Sequence, residues 1–309
     1  MRALFTSAAV AATGLAVAIV GSPAPVPPAV LRSGPPAGYA MTPSFSEEFS
    51  APLDPRKWNL AYGARTSAEP SVGSRSLWNN GEAQIYFDRK YLKLGIDPFS
   101  FANGVMTISA RPLPTAARDA VFGDLARHPD LLKGLKTLPR IEYSSGAITT
   151  RDTFKQRYGY FEIRAAWAGG KGVWPAFWLL PADGGWPPEI DVLEAHGNKA
   201  GTVFQSIHSK RTPTVTNTVR LNISQADFHT YGALWVPGRI DFYVDGALTS
   251  TAPETADMNQ PMYLLANMAI GGGWPGYPDP DPNFAATMRI DFIRAWQFRG
   301  PPPSAPRAK

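Results

Sequence analysis

The segment Glu189-Ile190-Asp191-Val192-Leu193-Glu194 constrains this chain more than any other, because it sets three carboxylates among apolar residues within six positions. Acids beside apolar side chains are costly to bury unless their charge is used or neutralised. In an extended strand, side chains alternate between faces, so Glu189, Asp191 and Leu193 would share one face and Glu194 would take the other. One extra residue, a β-bulge between Asp191 and Glu194, returns Glu194 to the face of the other two acids. All three then line one side of a single strand, with the aspartate in the middle. At a rise of about 3.3 Å per residue, the Cα atoms of the two glutamates would stand roughly 13–16 Å apart. Two long side chains leaning inward on a curved, bulged strand close much of that gap. A solvated edge strand is the competing reading. Against it stand Trp174, Trp178 and Trp186, just upstream in a Gly- and Pro-rich setting.

Such a trio suits glycoside hydrolysis. A retaining mechanism uses two carboxyl groups about 5 Å apart, one as nucleophile and one as proton donor. A neighbouring like charge raises the donor's pKa, and Asp191 could share a proton with either glutamate.

The bulged EIDVLE motif resembles the signature of the family 16 glycoside hydrolases. The likeness extends in the family's order through Tyr158–Arg164, Gly172–Pro181, Phe228–Gly232, Asp241–Gly246, Gly271–Gly276 and Ile290–Arg294, and covers roughly Phe45 to Phe298. It implies an all-β fold, a concanavalin-like jelly roll of two curved sheets with an open concave cleft crossed by the acid strand. It also implies the roles: Glu189 as nucleophile, Glu194 as general acid/base and Asp191 as the assisting acid. Which glutamate does which rests on the resemblance alone.

Sugar rings present apolar C–H faces, and indoles offer flat platforms for them. Trp174 and Trp178 share strand parity, so they share a face. Trp174 and Trp186 are expected to touch sugar; Trp186, just before Glu189, resembles the family's platform beside the cleaved bond. Trp274, in a loop of glycines and prolines, is a candidate rim contact, and Trp178 fits cleft or core equally. Trp58, Trp167, Trp235 and Trp296 read as core. Asn79–Tyr86 resembles a family segment whose polar groups reach donor-side sugars, with the departure that Gly81 separates Asn80 from Glu82. Asn80 and Glu82 are the expected ligands there. His208 matches a family histidine on the neighbouring cleft strand, and His196 is a candidate cleft-lining residue. No HExxH-type spacing indicates a catalytic metal. The resemblance implies no catalytic cofactor, but one structural calcium away from the cleft, with oxygens from near Glu48, Gly104 and Asp291.

Short alternating runs such as Ala83–Phe87, Val105–Ala110, Gly159–Ala166 and Ile240–Val244, punctuated by turn residues, point to an antiparallel sandwich on their own account. Asp245-Gly246 after the last run signals a hairpin. Thr115 to Leu135 departs from this pattern. It reads as helical, broken near Pro129, and suits a cleft wall or a cover over a sheet edge.

Residues 1–24 read as a secretory signal peptide, 25–43 as a Pro/Ala-rich linker, 44–300 as one catalytic domain and 301–309 as a flexible tail. A secreted or periplasmic protein is expected, free of the membrane after cleavage. The chain has no cysteine, which excludes disulfides and thiolate chemistry. The +5 formal charge is mild and its Lys and Arg are scattered, which argues against nucleic acid. The expected partner is a polysaccharide, met by a monomer. The resemblance implies endo-hydrolysis of β-1,3 or mixed β-1,3/1,4 bonds, with a bacterial exopolysaccharide among the candidate glycans. A noncatalytic sugar-binding protein and a transglycosylase are the alternatives; the presence of both glutamates speaks against the first.

Overall fold

The computed structural model describes residues 33–62, 71–133 and 138–303. The signal peptide, the first part of the linker, Leu135 and the last six residues of the tail lie outside them. The strands in chain order are β1 (Met41–Glu47), β2 (Gln84–Tyr86), β3 (Phe99–Ala102), β4 (Val105–Pro112), β5 (Tyr143–Ser145), β6 (Ala147–Thr149), β7 (Gly159–Ala168) and β8 (Val173–Pro181). They continue as β9 (Glu189–Glu194), β10 (Thr202–His208), β11 (Val215–Arg220), β12 (His229–Val236), β13 (Arg239–Val244), β14 (Ala247–Pro253), β15 (Met262–Ile270) and β16 (Ala286–Phe298). One α-helix, α1 (Thr115–Ala126), follows β4. No helix among the described residues is long and apolar enough to cross a membrane.

Two sheets face each other. The larger runs β14-β13-β12-β7-β16-β4-β5-β2, with β1 added to β16 and β3 to β4; the smaller runs β11-β10-β9-β8-β15-β6. Pairing is antiparallel except between β2 and β5. The turn joining β13 to β14 uses Asp245 and Gly246, both at positive φ (51° and 75°), the geometry of the expected two-residue hairpin. Parity along β8 shows how the sandwich closes. Val173, Phe177 and Leu179 enter the core between the sheets, while Trp174 and Trp178 face the other way with Ala176.

Two sequence expectations are corrected here. Part of the expected linker is folded: Ser33 Oγ and Gly34 N donate to the Glu162 carboxylate at 2.9 and 3.0 Å, and β1 begins at Met41. Buried Glu162 needs those donors, and the segment supplies them. Trp296 is also not between the sheets. It packs with Tyr39, Met41, Tyr160 and Phe298 on the outer face of the larger sheet, beneath that same segment. Trp58, Trp167 and Trp235 are core, as expected.

Helix α1 covers an edge. Ala117, Val121 and Leu125 pack with Val72, Ile85, Phe87 and Tyr91 in a small separate core beside β2. Within it Arg75, fully buried, lies 3.8 Å over the Tyr91 ring, and Tyr91 donates to Asp124 of α1 at 2.8 Å. Trp78, just before the Asn79–Tyr86 segment, leans on this core, so the helix braces that loop from behind.

Candidate active site

The outward face of β9 carries the acids because of two apolar neighbours. Val192 and Leu193 are consecutive, yet both are fully buried in the core between the sheets. Each is worth roughly 1.5–3 kcal/mol when buried, which favours bulging the strand over exposing one of them. The registers show the bulge directly. Ala176 and Phe177 of β8 pair with Glu194 and Leu193, but the next residue, Trp178, pairs with Asp191, so Val192 is skipped. On the other side Phe204 pairs with Glu194 and Ser206 with Asp191, leaving Gln205 opposite the two bulged residues. Glu189, Asp191 and Glu194 thereby share the face away from the core.

Each acid is held. Trp186 Nε1 donates to Glu189 Oε2 at 2.7 Å and Trp174 Nε1 to Glu194 Oε1 at 2.9 Å. His208 Nε2 stands 3.1 Å from Asp191 Oδ2 and 3.7 Å from Glu189 Oε1. Burial, then the like charge of Asp191, pushes Glu189 well above the usual carboxylate range. Burial and the charge of Glu194 do the same to Asp191. Glu194 is pushed up to about 8 by burial and by Glu189, against the Trp174 N–H. Three acids crowded together resist full ionisation, so the cluster keeps protons at neutral pH. Trp186 and His208 both favour charge on Glu189. The set can therefore present one ionised and one protonated glutamate at the same time, which two-step displacement at a sugar requires.

The aromatic residues divide into floor and walls. Trp186 is 49% exposed beside Glu189, and Trp274 is 43% exposed at the rim. Trp274 meets Trp174, His196 and Phe204 edge-on, with ring centroids 5.2, 4.2 and 4.7 Å away. Trp178 is buried in the floor with Tyr263 and Leu265, and donates to Asn267 Oδ1 at 2.7 Å. Its neighbours were not foreseen. Tyr62 stacks edge-on against both Trp178 and Tyr86, and Asn267 Nδ2 donates to the Tyr86 hydroxyl at 3.0 Å. Asn267 could have been noticed as the polar residue in the otherwise apolar run Met262–Ile270.

The donor-side expectation is half corrected. Asn80 is exposed, and its carbonyl accepts Gly273 N at 2.9 Å, joining its loop to the loop of Trp274. Gly272 permits the junction: at φ 129°, a Cβ there would stand 3.1 Å from Asn80 O and 3.6 Å from the Trp174 ring. Glu82 is not a sugar contact. It is 3% exposed, accepts from Leu77 N, Asn80 Nδ2 and Gln84 Nε2, and is raised to about 7 because burial outweighs those three bonds. Its role is to fold the loop that carries Asn80. His196 is likewise behind the wall rather than on it. It is 1% exposed under Trp274, and burial lowers it to about 4, which keeps the ring neutral.

Two of the expected calcium residues are neighbours: a Cβ on Gly104 would lie 3.8 Å from the Glu48 carbonyl. The carboxylates of the set are already committed. Glu48 takes Arg294 at 2.7 and 2.6 Å, and Asp291 takes Arg164 at 2.6 Å. Calcium needs six to eight oxygens, so main-chain carbonyls would have to supply most of its shell. The residues do not fit a carboxylate-built calcium site.

Comparison with known proteins agrees with this geometry. The chain is 38% identical over 262 residues to endo-1,3-1,4-beta-glycanase ExsH of Rhizobium meliloti (strain 1021), covering 84% of this chain and 52% of that protein. It thus spans about half the length of that relative. It is 30% identical to a beta-glucanase of Rhodothermus marinus, over 82% of this chain and 84% of the other. Among solved structures, the catalytic domain of an endo-1,3-beta-glucanase (laminarinase) from Thermotoga petrophila RKU-1 superposes with a TM-score of 0.66 at 27% identity, covering 85% of this chain and all of that one. The pattern of Glycosyl hydrolases family 16 matches residues 77–294, the stretch that holds every acid and indole of the cleft, and this chain belongs to that family.

Proposed function

We propose that this chain is a secreted, endo-acting, retaining hydrolase of β-1,3 or mixed β-1,3/1,4-glucans, with a bacterial exopolysaccharide as its natural substrate, and that it acts as a monomer. The observation that carries this function is the bulge at Val192, which sets Glu194 beside Glu189 on a face walled by Trp174, Trp186 and Trp274. Support for the substrate class comes from relatives named as a 1,3-1,4-beta-glycanase and a beta-glucanase. Secretion rests on the leader-like first residues.

In the proposed reaction Glu189 attacks the anomeric carbon while Glu194 gives its proton to the departing glycosidic oxygen, leaving a glycosyl ester on Glu189. Glu194, now ionised, takes a proton from water, whose oxygen displaces Glu189 from the sugar. The Trp186 N–H steadies the charge on Glu189 between steps. Asp191 shares the cluster's proton and keeps the two glutamates in opposite states.

The test is an assay of new reducing ends on laminarin and on a mixed-linkage β-glucan, with products sized. Short oligosaccharides appearing early from internal cuts are expected. Binding without new ends would leave a noncatalytic lectin, and products longer than the starting chains would indicate transglycosylation.

A further inference from the structure

Three atoms of ligand type converge in the cleft. His208 Nε2 lies 3.1 Å from Asp191 Oδ2 and 3.7 Å from Glu189 Oε1, and the three side chains keep one such atom each within 4.8 Å of one another. Two ligands held about 2.0–2.1 Å from one tetrahedral ion stand about 3.3 Å apart, which those two separations bracket. A second observation is independent of the spacing. Asp191 is 1% exposed, and its Oδ2 has no hydrogen-bond partner among the described residues, so the close approach of the imidazole is made without hydrogen-bond alignment. A third comes from the far side of the ring, where Nδ1 stands 3.1 Å from Thr214 Oγ1. Metal-bound histidines give their other N–H to an oxygen acceptor, and the Thr214 hydroxyl can take that place here, in the tautomer that leaves Nε2 bare. With Nδ1–H donating to Thr214, three acceptors aim at one point, and only protons or a cation can satisfy them.

We infer that the substrate-free cleft binds one first-row transition-metal dication of the zinc type across His208 Nε2, Asp191 Oδ2 and Glu189 Oε1. The ion is a reversible inhibitor that competes with the glycan. One imidazole and two carboxylates suit zinc, whereas magnesium and calcium take six or more oxygens. The bound ion occupies the oxygen with which Glu189 would attack, so ion and sugar exclude each other.

Calorimetric titration of the full chain, stripped with EDTA, with zinc chloride tests this, with magnesium chloride as comparison. One zinc per chain is expected, undisturbed by magnesium. His208→Ala and Asp191→Asn should each weaken it about a hundredfold, and Thr214→Val about tenfold, the range that outer-shell partners contribute. Melting curves report whether each variant folds; Thr214→Val lies outside the ligand set and keeps the inference testable if the others do not. In the reducing-end assay zinc should raise KM and leave kcat unchanged. Zinc binding that survives His208→Ala, a different stoichiometry, or inhibition that lowers kcat alone would overturn the inference. The stripped enzyme is expected to be fully active. Absence of zinc binding leaves the hydrolase assignment standing, whereas a stripped enzyme that cuts no glucan sinks that assignment instead.

Discussion

At the scale of single residues, the proposed chemistry depends on keeping Glu194 protonated where an ordinary glutamate would be ionised. Glu194 is raised to about 8, so the alkaline limb of kcat/KM is expected near that pH rather than near the ordinary carboxylate range. Glu189→Gln should lower turnover by about three orders of magnitude or more while leaving the melting temperature within a few degrees. Glu194→Ala should be partly rescued by azide or by a substrate with an easily departing group; rescue of neither kind would remove Glu194 from its role. The same raised value bears on stability. The folded-state pKa lies above the unfolded one, so the stability gained from holding that proton is complete below about 4.5 and is lost as pH rises through about 8. Wild-type melting temperature is therefore expected to fall between pH 5 and 9, and Glu194→Gln to fall less, since its amide has no proton to lose. Equal slopes by calorimetry would show that Glu194 titrates normally.

At the scale of elements, the bulge at Val192 governs the site. Its existence was legible in the sequence, because three acids and the consecutive pair Val192-Leu193 cannot be sorted onto two faces without an extra residue. Deleting Val192 restores strict alternation, which keeps Leu193 toward the core and leaves Glu194 on the face of Glu189 and Asp191. The expected result is reduced but measurable glucan cleavage and a loss of about 1.5–3 kcal/mol in urea unfolding, since one buried valine is gone. Complete loss of cleavage in a variant that still folds would show that sharing a face does not suffice to position Glu194. The strands were readable from alternation, and α1 from its spacing. What the helix covers was not, because its partners Val72, Ile85 and Tyr91 come from other parts of the chain. Glu82 misled for a related reason. A polar residue in a motif that faces sugar looks like a ligand until the fold shows three donors closing around it. The role of residues 33–43 was hidden by their Pro- and Gly-rich composition, which resembles a linker even where buried Glu162 draws two of them onto the sheet.

At the scale of the whole molecule, a cysteine-free sandwich is held by one large core between its sheets, and the cleft sits on the outer face of the smaller sheet. The pairs Glu48–Arg294 and Asp291–Arg164 already tie the corner where calcium was expected. Melting temperature is accordingly expected to be the same in EDTA and in millimolar calcium. A rise of several degrees with calcium would show that main-chain oxygens do bind the ion there. The central claim is that one irregular strand brings a nucleophile and a proton donor to the same sugar bond. The most direct measurement is to trap the covalent intermediate with a 2-deoxy-2-fluoro β-glucanobioside carrying a good leaving group, digest the protein and map the labelled peptide by mass spectrometry. The label is predicted on Glu189, in the peptide that also holds Glu194. A label on any other residue, or α-configured product seen by NMR from a β-linked substrate, would contradict it.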